Sequence, residues 1–330
     1  MQALPNKIID MHAHIAGIGA GNSGCFIAKH IRHNWRLGFY LHGFNVTLQE
    51  VEEHGDMLIA DRMSSLLAQS RYISQAVVLA QDGVVNRNGA LDTAHTAVYV
   101  PNEFVIKVVN KYPNFLFGAS INPYRKDAIV QLDLAKKHKA ILVKWIPSIM
   151  NIDPADKKII PFYKRLVELN LPLLTHTGYE ESFPVVNNSL CDPEKLNLPL
   201  SLNVKVIAAH VASTGKYNNE SGFDRLARLM LRYSNLYSDI SSLTQMNKLG
   251  SMKKALNRHE FNNKLLYGSD FPLINTPLVS PWHYMGRLRI KKIMKINSLK
   301  NPWDIDVKIK QELGAPADVF IRFERLFMFP

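Results

Sequence analysis

His12 and His14 stand two residues apart in an apolar run, so in a β-strand both side chains point the same way and both can reach one ion. Three more polar residues close later apolar runs in the same manner: His176, His210 and Asp270. Neutral imidazoles with a carboxylate suit a borderline divalent cation, Zn2+ first, with Mn2+, Fe2+ or Co2+ as substitutes. The expected ligands are His12, His14, His176 and Asp270, around one ion rather than two. A remaining coordination position would take water, whose pKa such an ion lowers to about 7. Asp270 is then the expected proton acceptor, and His210 an outer group that polarises the substrate or protonates a leaving group.

Residues so far apart meet only if the fold returns each strand end to one place. Eight β-rich runs recur: IIDMHAHI (8–15), AVVLAQ (76–81), FLFGASI (115–121), AILVKWI (140–146), PLLTHT (172–177), KVIAAHV (205–211), LYSDI (236–240) and KLLYGSD (264–270). Their continuous apolar character is that of parallel strands buried on both faces. Helical spacing separates them, as in Leu58, Ile59, Met63, Leu66 and Leu67, in Ile159, Tyr163, Leu166 and Val167, and in Phe223, Leu226, Ala227, Met230 and Tyr233. The alternation predicts a (β/α)8 TIM barrel, one domain over 1–330, with catalytic groups at the C-terminal ends of the strands.

Two connections are long, 16–55 after the first strand and 82–101 after the second, and they are expected to enclose substrate. The first carries a short helix that a Thr47/Glu50 capping box starts and Gly55 stops; His30, His33, Trp35, Tyr40 and His42 in it could form a lid. The stretch 316–329 reads as a last amphipathic helix that turns Val319, Phe320, Phe323, Leu326 and Phe327 to the barrel.

Composition narrows the function. Forty Lys and Arg against 28 Asp and Glu leave +12, which fits anionic small molecules, nucleic acid or an acidic membrane. The densest basic stretch, 287–300, places Arg289, Lys291, Lys292, Lys295 and Lys300 among Ile290, Ile293, Met294 and Ile296, the pattern of an amphipathic surface helix or loop, so nucleic acid is disfavoured. With no leader or span pattern, the expected location is cytoplasmic. Cys25 and Cys191, far apart, give no disulfide framework.

The ordered set of His-x-His on strand 1, His on strands 5 and 6 and Asp on strand 8 resembles the amidohydrolase superfamily. Within it the chain looks like the amidohydrolase-related group that includes aminocarboxymuconate semialdehyde decarboxylase and pyrone dicarboxylate lactonase. The stretches IIDMHAHI, INPYRKDA, LVKWIP, HTGYE, IAAHVAS and YGSDFP carry that likeness along nearly the whole chain. It implies one ion on His12, His14, His176 and Asp270, with His210 acting on substrate. Other branches hold two ions bridged by a carboxylated lysine of strand 4. Lys144 stands there, so it either plays that part, with His176 and His210 serving the second ion, or pairs with a carboxylate or an anionic substrate. Asp239 is a candidate to orient His210, Arg125 to bind a substrate carboxylate, and Glu180 to line the pocket.

The leading expectation is hydrolysis of an ester, lactone or amide bond in a small carboxylated metabolite by water activated on the metal. Its rival is non-oxidative decarboxylation of an aromatic or unsaturated acid. A nuclease of this fold usually carries an acidic residue on strand 4, where this chain has Lys144, and a barrel that only binds ligands would not need these side chains. Relatives often pair, so a homodimer is the expected assembly.

Overall fold

In the computed structural model, residues 4, 7–32, 34–182 and 187–328 are described. Eight parallel strands form one sheet in chain order: β1 (Ile8–His14), β2 (Ile73–Leu79), β3 (Phe115–Ala119), β4 (Leu142–Trp145), β5 (Leu173–Thr175), β6 (Val206–Ala208), β7 (Leu236–Asp239) and β8 (Leu265–Leu266). The sheet closes into a TIM barrel because the chain beyond β8 turns onto β1. There the amide of Asp270 donates to the His12 carbonyl at 2.8 Å and that of His14 to the Phe271 carbonyl at 2.8 Å. All eight strands coincide with the runs that alternate apolar and helical stretches in the sequence, and the connections hold the expected helices.

Side chains alternate between two apolar layers. Ile9, Met11, Val77, Leu79, Leu142, Leu174 and Ile207 fill the barrel interior, while Ala76, Val78, Phe117, Val143 and Val206 face the helices. An irregularity in β1 aims its two histidines. Asp10 pairs with Ala76 but Ala13 pairs with Val78, so β1 carries an extra residue opposite β2, a bulge. Strict alternation from Ile9 and Met11 would turn His12 and His14 outward. The bulge reverses the parity, and both imidazoles face the C-terminal mouth.

The C-terminal segment braces this arrangement. Helix Ala317–Phe323 buries Val319, Phe320 and Phe323, and Phe323 joins the barrel interior with Leu326 and Phe327 packed beside it; the rest of the expected stretch, at residue 329, lies outside the described residues. Trp303 stacks on Phe271 with centroids 4.4 Å apart, and its indole N–H donates to Asp10 Oδ2 at 2.8 Å. Asp10 also accepts the amides of His12 and Ser269. The basic stretch contains a helix, Ile290–Asn297, with Ile293 and Ile296 buried.

The two long loops lie over the mouth. Loop 16–55 holds the expected helix, Leu48–His54, with the Thr47/Glu50 capping box formed and Gly55 ending it at φ 83°. It also holds a second helix that the sequence pattern does not announce, Trp35–Gly43, capped by Asn34. Phe26–Ile27 of this loop pairs antiparallel with Val98–Tyr99 of the loop after β2, so the loops are joined by a short ribbon. Gly43 abuts the turn after Asp270: a Cβ there would lie 3.0 Å from Pro272. Among the described residues no helix is long and apolar enough to cross a membrane.

Asp10→Asn leaves the Trp303 indole and the Ser269 hydroxyl facing an amide N–H. The expected cost is about 2 kcal/mol, the penalty for buried donors left without an acceptor, read as a lower urea midpoint with unchanged circular dichroism.

Candidate active site

At the mouth, three functional atoms form a triangle. His12 Nε2 lies 3.2 Å from His14 Nε2, and Asp270 Oδ1 lies 3.6 Å from His12 Nε2 and 3.4 Å from His14 Nε2. Ligands about 2.0–2.1 Å from one tetrahedral ion stand roughly 3.3 Å apart, so these spacings suit a shared cation. His12, His210 and Asp270 also form a buried group whose ligand atoms lie within 4.8 Å of one another. The tight group therefore contains His210 where the sequence pattern suggested His176. The His176 and His210 rings are neighbours, with centroids 5.1 Å apart.

Each buried imidazole is oriented the same way. His12 Nδ1–H donates to Asp239 Oδ2 at 2.8 Å, which fixes the tautomer and leaves the Nε2 lone pair toward the mouth. His210 Nδ1 meets Ser241 Oγ at 2.8 Å and Ser242 Oγ at 3.1 Å, and His176 Nδ1 faces Glu180 Oε2 at 3.4 Å. His176 Nε2 is buried without a partner among the described residues, a polar atom that a bound cation would satisfy. Asp239 also takes the His210 amide on Oδ1 at 2.9 Å, so one carboxylate orients His12 by its ring and His210 by its backbone.

Burial pushes the His12 imidazole down to about 4, helped by the Lys144 charge and opposed by Asp239. Burial likewise lowers His176 and His210. All three are then neutral near pH 7, as ligands must be. Burial opposes ionisation of Asp270, yet His210, His14 and His12 hold it well below the usual carboxylate range. His210 and Asp270 both take left-handed backbone, at φ 59° and 67°, a conformation that costs a residue with a Cβ and that clusters at functional sites.

Lys144 is buried, and its Nζ lies 2.8 Å from His12 Nε2. Burial lowers its ammonium to about 8, against the pull of Asp239, Asp270 and Glu180. A cation on His12 would take the lone pair that Lys144 now faces, so the lysine must then turn to a carboxylate or a substrate, or be modified.

Above these groups opens a cavity of about 420 Å3, within the range of small-molecule sites. His14, Lys144, His176, Glu180, His210 and Asp270 line it. Arg125 does not. Its guanidinium meets Asp82 at 3.3 Å and Asp127 at 3.0 Å in a separate small cleft that Tyr99 also lines, so the structure places the expected substrate anchor outside this cavity. Trp35 and Tyr40 reach the cavity and His42 does not, while His33 and the side chain of His30 lie outside the described residues. Sequence reasoning missed Ser241, Ser242, Arg36 and Lys248. The serines directly follow β7 and Lys248 lies in the same loop, where the rule that barrel sites gather after strands could have found them.

The profile of the amidohydrolase family matches residues 9–291. The chain belongs to the amidohydrolase family. Solved structures agree on the fold. A probable 2-pyrone-4,6-dicarboxylic acid hydrolase from Acinetobacter baumannii, with citric acid bound, superposes with TM-score 0.58 at 14% identity, over 98% of this chain and 100% of that one. An uncharacterized TIM-barrel protein from Bordetella bronchiseptica gives 0.57 at 17%, over 94% and 100%. The 5-carboxyvanillate decarboxylase of Sphingomonas paucimobilis gives 0.52 at 10%, over 99% and 100%. No curated protein matches the sequence.

In this amidohydrolase site the Gly268 backbone passes so close to β1 that a Cβ on it would lie 2.8 Å from the His12 Cβ. Gly268→Ala must push His12 aside. It is expected to cost about 1–3 kcal/mol by denaturant unfolding and to lower the metal bound per chain; wild-type values of both would contradict the packing.

Proposed function

We propose that the protein is a metal-dependent hydrolase that opens an ester, lactone or amide bond of a small carboxylated molecule. The observation that carries this reading is the His12, His14 and Asp270 triangle at 3.2–3.6 Å, backed by the unpartnered Nε2 of His176. His12, His14, His176 and Asp270 would hold one ion, Zn2+ by donor type, with Mn2+, Fe2+ or Co2+ as alternatives. When bound, such an ion supplies Lewis acidity, polarising a carbonyl and acidifying water.

The chain's own residues handle the protons. Asp270, ionised and at the edge of the cavity, accepts the proton of the attacking water on its carboxylate. His210, neutral and held at Nδ1 by the two serines, presents Nε2 to the substrate, and the proton that Asp270 has taken from water passes through it to the leaving group. Asp239 keeps the His12 lone pair aimed. The apolar walls of the cavity exclude bulk water and strengthen each of these interactions.

A second reading, loss of carbon dioxide from a carboxylated substrate, is supported by the fold shared with a decarboxylase. His210, after taking up a proton, could then deliver it to carbon. Incubation with carboxylated esters and lactones separates the two, since hydrolysis yields a new acid and decarboxylation yields carbon dioxide.

Metal analysis is expected to give close to one ion per chain. His176→Ala should remove most of it. His210→Ala should keep the ion while turnover falls about 100- to 10,000-fold, the range for a general acid. Equal metal loss from both variants, with near two ions in the wild type, would instead make Lys144 the carboxylated bridge.

A further inference from the structure

The cavity is lined by apolar and charged side chains. The helix Trp35–Gly43 lines it with Leu37 and Leu41, and Ile31, Val98, Val100 and Ile146 add further apolar lining. Three acids also line it: Asp270, Glu180 and Glu181. Lys248, half-buried, lines the same cavity. Its Nζ holds the neutral hydroxyl of Ser242 at 2.6 Å, and no carboxylate lies within ion-pair distance of it among the described residues. Asp270, Glu180 and Glu181 act on it from farther away. Ser242 Oγ is in turn 3.1 Å from His210 Nδ1, so this cation sits two hydrogen bonds from the group assigned to proton transfer. Arg36 also reaches the cavity, with one N–H of its guanidinium on the Ser182 carbonyl at 3.3 Å.

A cation that faces an open cavity with no carboxylate in contact with it is completed by an anionic ligand, and an apolar lining by an apolar one. Glu180 and Glu181, which line the same cavity, repel a second anionic group. We infer that the substrate is an amphiphilic monocarboxylate, its single anionic head on Lys248 and its apolar body along the helix Trp35–Gly43. The inference rests on the hydrolase reading for the bond that is cut, not for how the molecule is held.

The test is calorimetric binding of straight-chain acids to the metal-loaded protein. From butyrate to octanoate, affinity should rise by up to about fourfold per methylene, the value of a buried CH2. Octanoate should bind roughly tenfold tighter than 1-octanol, the worth of a hydrogen bond to a charged group, and tighter than octanedioate. Lys248→Met should abolish the preference for acid over alcohol while bound metal and the chain-length trend stay unchanged. A flat chain-length series overturns the inference, as does tighter binding of octanedioate or an acid preference that survives in Lys248→Met. Metal analysis of the same preparation separates the two readings: a chain that binds no ion defeats the hydrolase proposal, whereas one that binds its ion with a flat series defeats only the substrate class.

Discussion

The site exists because the last strand hydrogen-bonds to the first. The carbonyl of His12 takes the amide of Asp270, and the amide of His14 reaches the carbonyl of Phe271. Those two bonds bring the ends of a long chain into one plane and set a carboxylate against two imidazoles. Almost everything nearby reinforces the seam. Asp10 ties β1 to Ser269, and Trp303 clamps Asp10 and Phe271 together. From beneath, Lys310 donates to the Gly268 carbonyl while paired with buried Asp306. A lone buried charge would be costly, so that pair holds only because both partners and the carbonyl are present.

Behind the seam, Asp239 divides its two oxygens between His12 and the backbone of His210. The orientation of two candidate catalytic groups thus depends on a single carboxylate that never reaches the cavity. Burial keeps the imidazoles neutral, and the same burial makes each unpaired atom expensive, which is why the bare Nε2 of His176 is informative.

Much of this was legible in the sequence, since apolar runs that end in His or Asp locate both the strands and their mouths. The spacing of His12 and His14 correctly implied a shared direction, but not the bulge that turns them inward, because nothing in the alternation of IIDMHAHI marks the extra residue. The Thr47/Glu50 box announced its helix through local hydrogen bonding. The helix Trp35–Gly43 was less visible because aromatic residues and glycines interrupt its apolar face. Arg125 looked like an anchor from its position after β3, yet its partners, Asp82 and Asp127, are set by loop geometry that a linear reading does not contain. Lys248 escaped notice for the converse reason: it lies nine residues beyond Asp239, and only the folded loop returns it to the cavity.

The ribbon between Phe26–Ile27 and Val98–Tyr99 has a mechanical meaning. A flap hinged at its own two ends could swing alone, but two loops that share backbone hydrogen bonds form a collar, and neither can retreat without carrying the other. Admission of ligands is then a property of both loops together, and a residue inserted in one reshapes the entrance that the other presents.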